Sequence, residues 1–159
     1  MTIVQVVNLI KERKNLSQQR AISTLVILSL FLLTFFQSAN QLIEKLDWHI
    51  FYNTRTKVVQ QVKNGELKPN VGWNGWVCQL PYEFPVISNG GNDIGISKNE
   101  LTNEVTVTFW VSRNFLSAPS THIVYTNRPE DIEYYNDLIE RNPVDNWQIE
   151  ENWFRTFHE

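Results

Sequence analysis

The sequence predicts an α+β protein, in which an N-terminal transmembrane helix precedes a small antiparallel sheet packed with one or two helices. Two features of the sequence predict this fold class: a long uncharged run near the N-terminus, and short β-rich runs separated by turn residues from Leu67 onward. Hydrophobic residues make up 42% of the 159 residues and aromatic residues 13%. That is enough apolar material to fill the core of one ordinary domain.

We divide the chain into a basic head (residues 1–20), a transmembrane helix (21–43), a juxtamembrane helix (44–66) and an extracytoplasmic α+β domain (67–159). The head has a formal charge of +3 and the rest of the chain −6. An acidic remainder argues against a nucleic-acid partner, because phosphate binding requires clustered Lys and Arg. A frayed tail and a helix on the inner membrane surface are both compatible with the spacing of Ile3, Val6, Val7 and Ile10.

The run from Ala21 to Phe36 predicts contact with a lipid bilayer. Residues 21–43 carry no charge, and as a helix they would span roughly 35 Å, enough for a hydrocarbon core of about 30 Å. A buried soluble helix would need apolar neighbours on every side. A cleaved signal peptide would need a small residue before the cut, where Phe36 or Gln37 stands instead. We therefore expect a retained single-pass anchor in the cell membrane.

Orientation follows from the basic head, because Lys and Arg beside a first transmembrane helix tend to stay in the cytoplasm. The domain that follows is then outside. Residues 41–63 contain no Pro or Gly and predict a helix, with a break near Asn53 as one variant and a stop at Asn64-Gly65.

Six short runs after this helix predict strands, and one predicts a further helix. The strongest alternation spans 104–112, and its natural antiparallel partner is 121–126. Pro129, followed by two acidic residues, predicts a helix to about Glu140. The other predicted strands are 76–80, 93–97, 146–150 and 153–157. We expect the helices to lie on one side of the sheet.

Residues 50–157 resemble a group of small, uncharacterised bacterial proteins that carry one N-terminal membrane segment and a C-terminal extracytoplasmic α+β domain. The stretches that carry this resemblance are VVQQVKNGEL (58–67), Leu80-Pro81, SNGG (88–91), VTFWVSR (107–113), IVY (123–125) and NWFR (152–155). The chain departs from the group at Asn114, where the group has a glycine. The resemblance implies an architecture and no activity.

Catalytic and metal-binding patterns are missing from the sequence. His49, His122 and His158 have no metal-ligand spacing, and the single cysteine, Cys78, permits neither an intramolecular disulfide nor a cysteine-based zinc site. The nucleophile elbow and the phosphate-binding P-loop are also missing. We predict no enzyme activity, no cofactor and no metal.

The most suggestive ligand-binding residues are Trp73, Trp76, Tyr82 and Arg113. Aromatic rings near Gly72 and Gly75 could stack on a sugar ring or a peptide, although core packing is favoured by the average burial of tryptophan. Arg113 ends the strongest strand and could hold an anion or pair with an acidic side chain.

We therefore predict a non-catalytic interaction module of the envelope, whose partner is an envelope component or another membrane protein. The first alternative is a pilin-like or pseudopilin-like subunit, which shares the layout but not the expected Gly before the apolar run or the Glu within it. The second alternative is a small envelope hydrolase or sensor.

Overall fold

The computed structural model describes residues 18–33, 37–112 and 120–158. The chain divides into two compact units, Met1–Asp47 and Trp48–Glu159. The described residues form helices α1 (Gln18–Leu33), α2 (Gln37–Lys63) and α3 (Pro129–Arg141). They also form strands β1 (Val77–Gln79), β2 (Asp93–Lys98), β3 (Val105–Ser112), β4 (Ser120–Thr126), β5 (Trp147–Glu150) and β6 (Trp153–His158). The predicted α+β class with an antiparallel sheet is confirmed.

Helix α1 carries large apolar side chains around its circumference. They are between 49% and 67% exposed: Ile22, Leu25, Val26, Ile27, Leu28 and Phe31. Of the helices in the described ranges, none is both long and apolar enough to cross a membrane. The predicted helical face in the head, residues 3–10, lies outside the described residues, as do residues 34–36.

Helix α2 runs without interruption from Gln37 to Lys63, so a break near Asn53 does not occur. Its C-terminal half is amphipathic, and Val58, Val59 and Val62 are buried. Gly65 ends it as predicted, with a φ of 74° and an amide that donates to the Val62 carbonyl at 3.0 Å. Only glycine adopts this backbone conformation without a steric penalty.

The sheet has six strands in the order β1-β2-β3-β4-β6-β5, and every neighbouring pair is antiparallel. The predicted pairing of β3 with β4 is confirmed, with Val107 opposite Tyr125. The predicted hairpin at the C-terminus is also confirmed, and Asn152 in its turn has a φ of 65°. Strand β1 is shorter than predicted, at Val77–Gln79 instead of 76–80.

The two helices of the second unit cover opposite faces of the sheet, so the expectation that helices lie on one side is wrong. Successive strand residues point to opposite faces, and Trp153 and Phe154 show which helix lies where. The Trp153 ring contacts Trp48 of α2, with ring centres 4.9 Å apart. The Phe154 ring stacks on Tyr135 of α3 at 5.2 Å. The alternation of apolar residues along a strand indicates one buried face and does not indicate that a helix covers the other face.

The main core lies between α2 and its face of the sheet. Side chains from α2 meet those from the inner strands: Trp48, Val58, Val59, Val62, Ile94, Ile96, Val105, Val107, Phe109, Ile123, Tyr125 and Trp153. Full burial of one such side chain contributes roughly 1.5–3 kcal/mol. This core includes Cys78 of the edge strand β1 and therefore fixes that strand; Trp76 precedes β1 in the chain and Tyr82 follows it.

Candidate functional site

Trp73 and Trp76 belong to a closed segment, residues 70–79, which ends in the edge strand β1 and is called the 70–79 loop below. The Asn70 amide donates to the Val77 carbonyl at 3.1 Å. The Asn70 carboxamide pairs with the backbone of Gln79, donating to its carbonyl at 2.9 Å and accepting from its amide at 2.8 Å. A side chain thus supplies hydrogen bonds of the kind that a further strand would make to β1, and it ties the two ends of the loop together.

Two consecutive turns form the tip of this loop. The Asn74 amide donates to the Val71 carbonyl at 3.0 Å, and the Asn74 side-chain oxygen accepts from the Trp76 amide at 3.1 Å. Side-chain acceptance two residues on is a usual way for asparagine to stabilise a turn. The tip presents the Trp73 side chain, which is 77% exposed.

Trp76 folds back onto the sheet at Gly95. A Cβ at Gly95 would meet ring atom Cζ3 of Trp76 at 2.6 Å and Cε3 at 2.9 Å, so the ring can lie there only because Gly95 has no side chain. The ring also contacts Trp110, with centres 5.6 Å apart. Trp76 nevertheless remains 50% exposed, and it therefore combines a fixed position with an open surface.

Tyr82 lies in a different environment, in the segment of residues 81–92 that follows β1. It is partly buried and packs against the main core, and this burial raises the pKa of its hydroxyl. Phe84 in the same segment is 82% exposed. Gly95 points to the α3 face of the sheet, whereas its neighbours Ile94 and Ile96 join the core on the α2 face. The structure thus separates Trp76 from Tyr82.

Asn92 organises the segment around Tyr82. Its buried side chain accepts from the amides of Ile87 at 2.8 Å and Ser88 at 3.2 Å. It donates to the carbonyls of Tyr82, Glu83 and Pro85 at 3.2, 3.1 and 2.9 Å. The bonds to the two amides are buried and those to the three carbonyls are part-buried. Loss of a hydrogen-bond partner is most costly at the buried amides.

A cleft of about 360 Å³ opens between α2 and this segment. Its lining residues are Thr54, Lys57, Val58, Gln61, Pro81, Tyr82, Phe84 and Pro85. Arg55 fixes the same part of α2 to the segment, because its buried guanidinium donates to the Ile87 carbonyl from Nε at 3.2 Å and from Nη2 at 2.9 Å.

The four predicted site residues are therefore not one cluster. Trp73 and Trp76 share a loop, Tyr82 lines the cleft, and Arg113 lies outside the described residues. Core packing was the favoured expectation for the aromatic residues, and it is wrong for Trp73 and Trp76, which are 77% and 50% exposed. The hydrogen bonds of the 70–79 loop hold Trp73 at its exposed tip, which average burial cannot indicate.

No protein-family model, curated protein or solved structure matches the chain. The resemblance to small bacterial membrane proteins therefore stays a prediction. Residues that sequence reasoning missed are Lys57, Asn92 and Arg55. The only available signal for Asn92 was its place directly after Gly90-Gly91, which indicated a turn and not a buried side chain.

Titratable groups do not gather into a metal centre. Within residues 18–33, 37–112 and 120–158, no three His, Cys, Asp or Glu side chains come close enough to hold a metal ion. Cys78 is buried, and burial together with the negative charge of Asp93 raises the pKa of its thiol. A buried thiol with a raised pKa is a poor nucleophile.

Proposed function

We propose that this protein is a membrane-anchored, non-catalytic binding module of the cell envelope, with the 70–79 loop as its recognition surface. One observation carries the proposal: Trp73 and Trp76 are exposed on a loop whose backbone is held by its own hydrogen bonds. Tryptophan contributes large contact area, and a fixed loop loses little conformational entropy on binding. Binding hot spots commonly combine these two properties.

The surface fits a partner with a flat, weakly polar face, such as the sugar rings of an envelope glycan. The Trp76 ring packs on Gly95 and leaves half of its surface open, which suits stacking. The chain beyond the head has a formal charge of −6, so a polyanion would be repelled. We therefore propose that the loop binds the uncharged sugar backbone of an envelope glycan.

The anchor is the second part of the proposal. We place residues 21–36 in the lipid bilayer, the head in the cytoplasm and the sheet unit outside. The support is the basic head, the uncharged run of residues 21–43 and the exposed apolar side chains around α1. A helix that is apolar on all sides needs apolar surroundings, which lipid supplies.

The test is co-sedimentation of the full chain, in detergent micelles, with purified bacterial peptidoglycan. We expect Trp73→Ala and Trp76→Ala each to weaken binding by about tenfold, the loss typical of an interface hot spot. Leu101→Ala is the matched control, because Leu101 is an apolar residue that is 96% exposed in the β2–β3 turn.

Equal binding by all four proteins would show that the loop is not the recognition surface. A purified chain that hydrolyses peptidoglycan, and loses this activity when one polar residue is changed, would overturn the non-catalytic assignment.

A further inference from the structure

We propose that the cleft between α2 and residues 81–85 is a second binding site, which takes a small organic carboxylate with an aromatic or apolar body. It does not depend on the 70–79 loop. Its volume of about 360 Å³ lies within the range of roughly 300–1,000 Å³ that is usual for small-molecule sites.

One wall of the cleft is a single face of α2. Thr54, Lys57 and Gln61 follow one another at intervals of three and four residues, which places them on neighbouring turns of one side. Val58 continues this wall into the main core. The wall therefore offers an ammonium group, a hydroxyl and a carboxamide above an apolar floor.

The opposite wall is aromatic and is fixed before any ligand binds. Tyr82 and Phe84 contribute the rings, and Asn92 holds the carbonyls of Tyr82, Glu83 and Pro85. Arg55 fixes the chain just beyond this wall, because its guanidinium donates to the Ile87 carbonyl. A ligand that enters such a site has little backbone to order, so less binding energy is lost.

Lys57 decides the charge of the ligand. In the part of the chain that the structure describes, its ammonium group has no ion pair or hydrogen-bond partner. Glu83, the only acidic residue of residues 81–85, is not among the lining residues. An ammonium at the mouth of an apolar cleft binds a carboxylate through a charge-assisted hydrogen bond. The rings of Tyr82 and Phe84 then contact the ligand's apolar body.

A pair of probes that differ only in charge tests this site: 4-(trifluoromethyl)benzoate and 4-(trifluoromethyl)benzamide. Each is titrated with the full chain in detergent micelles and followed by its ¹⁹F NMR shift, after correction for protein-free micelles. We expect the benzoate to bind about fivefold more tightly than the benzamide, a modest gain because the ion pair is partly solvated.

Four variants identify the origin of the difference. Lys57→Gln should abolish the preference for the benzoate over the benzamide, and Lys57→Arg should retain this preference. Lys68→Gln removes an exposed lysine outside the cleft and should leave it unchanged. Thr54→Phe fills the cleft without removing a core group, and it should weaken the binding of both probes.

The proposal is overturned if Lys57→Gln preserves the preference for the benzoate, or if Thr54→Phe leaves both affinities unchanged. Trp73→Ala separates the two proposals, because it should reduce peptidoglycan binding and leave the benzoate affinity as it is.

Discussion

At Gly95, a missing methyl group decides where Trp76 lies. The neighbouring Thr108 Cβ would lie 3.2 Å from an added Cβ, in addition to the two ring atoms of Trp76 at 2.6 and 2.9 Å. The backbone of β2 cannot shift away from the ring, because it pairs with β1 on one side and with β3 on the other. The ring must therefore move if Gly95 gains a side chain.

Gly95→Ala should consequently destabilise the protein by about 1–3 kcal/mol, the usual cost of an overpacked site. It should also weaken peptidoglycan binding as Trp76→Ala does. Urea unfolding measures the first effect and co-sedimentation the second. Gly72→Ala is the control, since an added Cβ there meets nothing within 4 Å; equal stabilities of the two variants would contradict the contact.

Asn92 combines a left-handed backbone, with a φ of 60°, and a buried side chain with five hydrogen bonds. Asn92→Gly should cost about 3 kcal/mol or more in free energy of unfolding, because it removes the hydrogen bonds and keeps the backbone permitted. Asn92→Ala should cost roughly 1 kcal/mol beyond that, from backbone strain.

The control for this position is Asn103, which has a similar φ of 57° and is exposed. Asn103→Gly should change the free energy of unfolding by less than about 0.5 kcal/mol. If Asn92→Gly were equally mild, the side-chain hydrogen bonds would not hold the 81–92 segment in place.

These residues also mark how far the sequence can predict the site. The turn at Asn89-Gly90-Gly91 and the aromatic character of residues 73–84 were visible in the sequence. The exposure of Trp73 was not, because it depends on Asn70 pairing with Gln79, nine residues away. The cleft was not visible either, since its two walls lie some twenty residues apart in the chain. Asn92 shapes one wall, and Arg55 of α2 bonds to the same segment at the Ile87 carbonyl.

At the scale of elements, strands with clear alternation were predicted within one or two residues, because one buried face imposes the period. The position of α3, expected on the same side of the sheet as α2, was predicted wrongly. It lies across the second face, where Asp131 accepts hydrogen bonds from the hydroxyls of Thr106 and Thr126. Threonine at alternate positions of β3 is compatible with a solvated face, so the sequence did not indicate that α3 packs there.

Tyr135 provides a pH-dependent test of this packing. Burial, with a smaller effect from the Asp131 charge, raises its pKa from 10.0 to about 12. A raised tyrosine pKa means that the folded state prefers the neutral phenol. Its contribution to stability is therefore complete below pH 10 and is lost as the pH rises to about 12.

Between pH 9 and pH 12, the wild-type chain should lose about 2–3 kcal/mol more stability than Tyr135→Phe, as measured by urea unfolding. Below pH 9 the two should agree within about 0.5 kcal/mol. Tyr134→Phe, which alters an exposed neighbour, should follow the wild-type curve. Parallel curves for wild type and Tyr135→Phe would show that α3 does not bury this ring.

At the scale of the whole molecule, the described chain separates an apolar helix from a folded sheet unit, and the boundary at Asp47–Trp48 falls inside α2. Trp48 is the first residue of the second unit and already packs on Trp153. The C-terminal part of α2 is thus a component of the sheet unit's core and not a separate spacer.

The proposed orientation can be tested by labelling cysteines that are introduced at chosen positions, with the wild-type chain as the unlabelled control. Cys78 is buried and its pKa is raised, so the native wild-type chain should not react with a membrane-impermeant maleimide. Leu101→Cys adds a thiol at a position that is 96% exposed. We expect it to be labelled in intact cells, because the proposed orientation has the N-terminus in the cytoplasm and the sheet unit outside. Ser17→Cys, in the head, should be labelled only after permeabilisation. The opposite pattern, with Leu101→Cys protected and Ser17→Cys reactive in intact cells, would invert the orientation and remove the envelope glycan as a partner.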